Sequence, residues 1–501
     1  MAATLSHLMP IPDPSSPLTA PTPASGDFDM AVLEAGVDRI LALFRQLHDG
    51  GALPRVLSQV APGTIANQLA LMAPAAGETL DTILADVERI IVPGITHWHH
   101  PAFMAYFANS SSVPSVLGEL LMSGLNANAM LWVTSPAATE LEQRVLEWLW
   151  TAMGLPDAAS WFGIITDTAS MSTLLALAAA REAAGFDIRR KGMGGRSDLP
   201  AMRVYCSEHT HSSADKACIT LGIGTDNVVK IPVDDAFRMR ADLLAAAIRA
   251  DRAAGMHPLA VIATVGTTST SSIDPVPAIA DLCTREKVWL HVDAAYAGVM
   301  GIAPEYRWAL EGVDRADSVL TNPHKWLFTT MDCSTFWTRH PDVLRNAFSL
   351  VAEYLVTARD SQVVNYMDYG VQLGRRFRAL KLWMVMRAFG TDGLASRLRD
   401  HCAMAREFAA GIAADPSWVL SAPVPFSLVC FRYAPAGMAD GDADAHNARI
   451  LSTVNATGRV YLSHTKLHGR YVLRLAIGNI LTAREHVALA WAELQRAAAV
   501  V

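Results

Sequence analysis

The sequence predicts an α/β fold: a mainly parallel sheet covered by helices, with a helical segment before it and a smaller α+β domain after it. Three observations point there. Between about residues 110 and 330, short apolar runs rich in Val and Ile alternate with helical stretches, the pattern of strands buried on both faces. Of the 501 residues 51% are hydrophobic and only 18% charged, so a large core is expected and extensive disorder is excluded. Each apolar run is followed by small, hydroxyl or ionisable residues, at the strand ends where ligands bind in open α/β sheets.

Taken in order, residues 1–26 hold six prolines between Pro10 and Pro23 and read as an extended tail. Residues 27–112 form a helical segment. Val32, Val37, Ile40, Leu41 and Phe44 give helical spacing over 28–48, stopped by Gly50-Gly51 and Pro54, and a second helix spans 79–91. Residues 113–380 form the large domain, with strands at 161–165, 203–206, 259–265, 288–292 and 318–321. Helices are expected between them at 171–184, 241–253 and 276–286, and a further one at 374–389 is closed by Gly390. Residues 381–501 form the small domain, with strands at 426–433 and 471–477 and a final helix at 482–499. Thr482-Ala-Arg-Glu485 reads as a capping box for that helix.

Charge and cysteines narrow the function. The net charge of −7 lacks the basic clusters that nucleic acid requires. The mean hydropathy is positive, but the longest uncharged stretch, 120–139, contains Ser123, Asn126, Asn128, Ser135 and Pro136, so it reads as protein interior and not a membrane span. Six scattered cysteines form no C-x-x-C pair and no disulfide framework, and the N-terminus has no basic region followed by an apolar run. A cytoplasmic location is expected.

The post-strand clusters carry the chemistry. The first run leads into Asp167-Thr168-Ala169-Ser170 and a helix, where free backbone N–H groups and the helix dipole favour an anion. The second is followed by His211-Ser212-Ser213, the third by Gly266-Thr267-Thr268. The fourth ends on Asp293, a carboxylate among apolar neighbours that calls for a cationic partner, and the fifth on Asn322-Pro323-His324-Lys325. Alone, each has a bland reading: a helix cap, a structural histidine, a turn, an ion pair between Lys325 and Asp293. Together they match the needs of pyridoxal 5'-phosphate: an amine, an acid for the pyridine nitrogen, a phosphate cup and a flat group over the ring. No strand is followed by G-x-G-x-x-G, so a dinucleotide is disfavoured. His97, His99 and His100, like His464 and His468, lack carboxylate or cysteine partners at metal spacing, so no metal is expected.

The strings ITHWHHPAFMAYF (95–107), SPAATELE (135–142), DTAS (167–170), VGTTSTSSID (265–274), WLHVDAAYAG (289–298), NPHKW (322–326) and LGRRFRALKLW (373–383) have a familiar order. The chain resembles the group II pyridoxal-phosphate decarboxylases, specifically the aromatic-L-amino-acid decarboxylases, over about residues 28–495. The resemblance implies a fold-type-I architecture with a seven-stranded sheet, and an obligate homodimer that shares its active site and uses the N-terminal helical segment for dimerisation. It implies decarboxylation of an aromatic L-amino acid (phenylalanine, tyrosine, tryptophan or dihydroxyphenylalanine) to its amine. An aromatic aldehyde synthase and a non-catalytic cofactor-binding protein are the alternatives.

By the same resemblance, Lys325 binds the cofactor covalently, Asp293 pairs with the pyridine nitrogen, and His211 stacks on the ring. Thr168, Ala169, Ser170, Asn322 and His324 hold phosphate, and Thr268 contacts the cofactor. Tyr354, on a mobile loop over about 345–362, donates the proton to Cα. Trp98, Tyr106 and Phe107 build the aromatic substrate pocket, together with Asn109, Asn128, Met130 and Gly374. Ala108-Asn109 stands where the family usually has Pro-Thr, Asn128 and Met130 where apolar residues are common, and Met171 where an acid is expected. These departures bear on the substrate side chain. Arg375, Arg376 and Arg378 are read as interface or structural ion pairs rather than substrate grips.

Overall fold

The five Val- and Ile-rich runs become five strands of one seven-stranded sheet in the computed structural model, which describes residues 28–48, 54–350 and 362–500. The proline-rich tail and Tyr354 lie outside the described residues. The chain divides into two units between Thr96 and His97. The first contains α1 (Met30–His48) and α2 (Leu80–Asp86). Thr79 caps α2, its hydroxyl accepting from the Thr82 N–H at 3.2 Å. The helix expected over 79–91 changes pitch at Val87, where one wider π-helical turn runs to Ile91. Arg39 on α1 grips Glu88 on that turn through two bonds of 2.8 and 3.0 Å.

The second unit begins with α3 (Val113–Leu125) and α4 (Pro136–Ala152). The uncharged 120–139 stretch therefore spans two helices and a turn, with Asn126 left-handed at φ +45° and Ser135 capping α4. The second unit continues with β1 (Phe162–Thr166), α5 (Ala169–Ala183), α6 (Ile188–Lys191), β2 (Met202–Ser207), α7 (Ser213–Thr220), β3 (Val228–Ile231), α8 (Ala241–Ala253), β4 (His257–Thr264), α9 (Val276–Glu286) and β5 (Trp289–Asp293). β6 (Ser318–Thr321), α10 (Pro323–Trp326), β7 (Ser334–Thr338) and α11 (Pro341–Phe348) follow, and β7 completes the seven-stranded sheet. The strand order is β1-β7-β6-β5-β4-β2-β3, and only β7 runs antiparallel to its neighbours. The carboxyl ends of β1, β2, β4, β5 and β6 thus share one edge, which is what gathers the polar clusters. No helix among the described residues is long and apolar enough to cross a membrane.

Next come α12 (Ala379–Ala414), β8 (Trp418–Leu420), β9 (Leu428–Tyr433), α13 (Asp440–Ala456), β10 (Ser463–Leu467), β11 (Arg470–Ala476) and α14 (Arg484–Val500). The four strands form an antiparallel sheet in the order β10-β11-β9-β8. Two expectations need correction. The helix read from residue 374 starts at Ala379, because the Arg375 backbone is spent on a tie to another loop. Its N–H donates to Asn128 Oδ1 at 3.0 Å and its carbonyl accepts from the Ala129 N–H at 2.8 Å. That helix also resumes past Gly390, whose φ of +62° makes a break rather than an end. The capping box at 482–485 does not form, since the Thr482 hydroxyl donates to the Pro101 carbonyl at 2.6 Å.

A buried carboxylate braces the middle of the sheet. Asp274 is 1% exposed, and its two oxygens accept from the Met239 and Thr264 N–H groups, each at 2.8 Å. Burial pushes its pKa up to about 6 despite those bonds. The folded pKa lies above the unfolded value of 3.8, so the stabilising contribution is full below that value and is lost as pH rises through about 6. Wild-type stability in urea is expected to fall by roughly 3 kcal/mol over that window from this group alone. Asp274→Asn should flatten the step, and an unchanged pH profile would refute the assignment.

Candidate active site

Five strand ends build one cavity of about 150 Å³, lined by Phe107, Thr168, Ala169, Ser170, His211, Thr264, Gly266, Thr268, Asp293, Ala295, Tyr296, Asn322, His324 and Lys325. At the end of β1, Thr168 precedes α5, and its carbonyl takes the N–H groups of Met171 and Ser172. The N–H groups of Ala169 and Ser170 come before that first helical bond, so they face the cavity as anion donors. The Gly266 backbone at φ +88° passes so close to Ala297 that a Cβ there would sit 2.7 Å from its methyl, which fixes glycine at this corner.

Asp293 ends β5 opposite Thr264 of β4 and is 5% exposed. Its Oδ1 accepts from the Ala295 N–H at 3.0 Å, so backbone geometry aims the carboxylate. Lys325 enters from α10. Loss of water around its amine lowers its pKa, and the Asp293 charge opposes that shift. Among the described residues no carboxylate forms a direct ion pair with Lys325, so the simple salt-bridge reading of the two does not hold. The amine instead lies 5.6 Å from the Phe107 ring centre.

The histidines are set by backbone donors. His324 Nδ1 accepts from the Cys333 N–H at 3.0 Å, and burial lowers its pKa to about 3. The ring is therefore neutral, with its proton on Nε2. His211 Nδ1 accepts from the Ser213 N–H at 3.1 Å, which selects the same tautomer. Surrounding protein and the Lys325 ammonium lower its pKa, while Asp293 raises it. Phe107 stacks on Tyr296 at 3.6 Å between ring centres, and Tyr296 stacks on Trp326 at 4.5 Å. The residue next to the lysine is thereby wedged into the core.

One residue at this site escaped the sequence reading. Arg474 of β11 is 4% exposed and has no carboxylate partner among the described residues. It donates to the carbonyls of Thr268 at 2.6 Å and Ser269 at 3.2 Å, and to the Ser463 hydroxyl at 2.9 Å. The available signal was an arginine inside an otherwise apolar strand, Val472-Leu473-Arg474-Leu475-Ala476. Arg474→Met keeps the bulk but leaves the Thr268 carbonyl without its donor, while the Ser269 carbonyl keeps the Cys430 thiol and the Ser463 hydroxyl keeps the Tyr106 N–H. It is expected to cost about 1.5–3 kcal/mol of stability, the range for one lost bond to a charged group whose acceptor is left unpaired. Cofactor retention on dialysis should fall with it, and full retention at unchanged stability would show that the tie is idle.

Among the expected substrate residues, only Phe107 lines the cavity of the single chain. Trp98 and Tyr106 stack at 5.9 Å, and the Tyr106 hydroxyl meets that of Tyr461 at 3.0 Å. Asn109 lies against Met331, its Nδ2 3.5 Å from the sulfur. Asn128 lies against Met130 in the same way, and Gly374 faces the Asn128 amide. The three arginines pair within the chain: Arg375 with Glu142 at 2.7 Å, Arg376 with Glu119 at 2.5 Å, Arg378 with Asp332 at 2.9 Å. The first is a buried pair that also closes on the Ile165 backbone of β1 from both sides.

The donor set fits pyridoxal phosphate on evidence internal to the cavity. Asn322 Oδ1 and Thr264 Oγ1 are buried there with no hydrogen-bond partner, which a buried polar atom rarely tolerates. A helix N-terminus, a neutral histidine donor, a desolvated amine and an aimed carboxylate complete the complement for a phosphate, an aldehyde and a pyridine nitrogen. On such a sheet this defines a fold-type-I pyridoxal-phosphate enzyme.

Comparisons with known proteins agree. A family model described as the pyridoxal-dependent decarboxylase conserved domain matches residues 62–434. Tyrosine decarboxylase 2 of Arabidopsis thaliana is 42% identical over 472 residues, covering 92% of this chain and 85% of that one. Phenylacetaldehyde synthase of the same plant is 41% identical over 451 residues, covering 88% and 91%. The solved structure of Oryza sativa TDC with PLP and tryptamine superposes with a TM-score of 0.90 at 36% identity, covering 94% and 99%. The chain belongs to the pyridoxal-dependent decarboxylase family, in its group II aromatic-amino-acid branch, and is a pyridoxal-phosphate-dependent carboxy-lyase.

Proposed function

We propose that the protein decarboxylates an aromatic L-amino acid to the arylalkylamine and CO₂. The observation that carries this is the Lys325 amine held near Asp293 in one cavity with a phosphate-binding helix start. The aromatic substrate class is supported by the tyrosine decarboxylase and by the tryptamine-bound structure. When bound, pyridoxal phosphate supplies an electron-poor ring that takes up the electron pair released as the Cα–carboxylate bond breaks. Lys325 holds it covalently. Ala169, Ser170 and Thr168 at the α5 start, with Asn322 and His324 Nε2–H, hold its phosphate, and Thr268 contacts it. Asp293 keeps the proton on its ring nitrogen. His211 covers the ring and orients the substrate carboxylate, and Tyr354 delivers a proton to Cα.

The protein is proposed to work as an obligate homodimer in the cytoplasm, with the active site shared. One face of α3 supports this: Val113, Val116, Leu117, Leu120, Leu121 and Leu125 recur at helical spacing and are 40–73% exposed, an apolar stripe that water disfavours. In a shared site Trp98, Tyr106, Asn109, Asn128, Met130 and Gly374 would meet the substrate across the interface. Six free, buried cysteines suit a reducing compartment.

A product assay with phenylalanine, tyrosine, tryptophan and dihydroxyphenylalanine tests the reading, with CO₂, amine, ammonia and aldehyde scored separately. Amine and CO₂ in equal amounts are expected from at least one of the four; no CO₂ from any would overturn it. The second reading, an aldehyde synthase, is favoured by the phenylacetaldehyde synthase relative. Tyr354 decides between them. Tyr354→Phe removes the proton donor and is expected to shift most of the product from amine to aldehyde. Oxygen is then consumed, and ammonia and hydrogen peroxide appear. Unchanged amine output would dismiss Tyr354 from the role.

A further inference from the structure

An unassigned cavity lies at the opposite edge of the central sheet. It measures about 580 Å³ and is formed where β4 and β5 begin, between the C-terminal half of α5 and the α9 and α11 helices. Its floor is Leu259, Trp289 and Leu290, and Ala180, Ala183 and Ala184 form one wall. Three cations, Lys287, Arg315 and Arg339, line it against one carboxylate, Asp317.

That carboxylate is already spent. Asp317 Oδ2 accepts from the Leu290 N–H at 2.7 Å, and Oδ1 bonds His340 Nε2 at 2.8 Å. Arg315 reaches outward to Asp281 at 2.6 Å. Lys287 and Arg339 have no carboxylate partner among the described residues, and Arg339 only overlies the Trp161 ring at 5.2 Å. With Arg315 paired to Asp281, the two remaining cations outnumber the single wall carboxylate, and the cavity keeps a net positive charge. Beside it stands an aromatic shelf, with Trp289 and His340 5.0 Å apart. Apolar floor, aromatic shelf and uncompensated cations together select a planar apolar body with a negative group.

We propose that this cavity is a second ligand site, binding a small aromatic carboxylate that lacks an amine. The inference is independent of the substrate assigned to the catalytic site. Trp289 starts the strand that ends on Asp293, about 13 Å away at strand rise, so the ligand would rest on the same strand as the cofactor-facing carboxylate but at its other end.

The test is equilibrium dialysis of the holoenzyme against 4-hydroxyphenylacetate, with tyramine as a cation of similar ring and size. The catalytic site is blocked in both by capping the cofactor with phenylhydrazine. Saturable binding of the acid, undisturbed by tyramine, is expected. Lys287→Ala and Arg339→Ala should each weaken it by about tenfold, as for loss of one charge-assisted contact, and leave kcat/KM unchanged. Thermal unfolding of Lys287→Ala should match wild type, since that side chain is exposed and makes no ion pair among the described residues, and Arg339→Ala should lose only the Trp161 contact. Absent saturation, equal binding of tyramine, or unchanged affinity in the double variant would each overturn the site.

Discussion

Lys325→Ala is expected to lose the visible absorbance of bound pyridoxal phosphate and essentially all turnover. One side chain supplies both the covalent attachment and a titratable amine at the reacting centre. Positioned acid–base groups alone contribute about 10²–10⁴-fold, so a loss of at least roughly 10³-fold is expected. The protein should still fold, because Lys325 makes no ion pair among the described residues and its neighbour Trp326 anchors the segment by stacking on Tyr296. Borohydride reduction of wild-type holoenzyme, followed by peptide mapping, should place the label on Lys325. A label elsewhere, or an alanine variant that keeps its absorbance, would reassign the amine.

Asp293→Asn should have the next largest effect, for a different reason. The Ala295 N–H can still donate to an amide oxygen, so the backbone geometry survives while the charge disappears. A preorganised charge aimed at a developing transition state is worth about 10²–10³ in rate. The variant is expected to bind cofactor and lose kcat by that factor with little change in KM. Asp293 also raises the depressed pKa values of Lys325 and His211, so both should fall further in the variant. The acidic limb of the pH–rate profile would then move to lower pH. A variant with wild-type kcat would remove Asp293 from the catalytic step.

The sequence made the five site-forming strands legible because each is a short Val- or Ile-rich run that carries its own signal. β7 went unread because Ser334-Thr-Phe-Trp-Thr338 has no alternation, and it is buried only through its neighbours β1 and β6. β3 is four residues long and half-covered. The helix start at 374 was misplaced because helical spacing in the side chains does not reveal that the Arg375 backbone is committed to residues 128 and 129. The site clusters were legible for a related reason. Thr168 to Ser170, Asp293 and Lys325 each lie at or within four residues of a strand's carboxyl end, so local order predicts their shared edge. Arg474 was not, since its partners Thr268 and Ser269 lie more than 200 positions earlier and only the tertiary fold joins them. The two unpartnered acceptors at Asn322 and Thr264 are likewise invisible without coordinates.

The stack of Phe107, Tyr296 and Trp326 has a consequence for biosynthesis. Tyr296 is secured by the Ser427 hydroxyl, 131 residues later in the chain, and the Thr268 loop by Arg474, 206 residues later. A nascent chain emerging from the ribosome exposes Lys325 and Asp293 long before either brace exists. The cavity wall is completed only when β9 and β11 are available, and contacts so distant in sequence form slowly. Cofactor capture should therefore come late in the life of each chain, and a C-terminal truncation before Arg474 should leave a polypeptide with every catalytic residue and no competent place to use them.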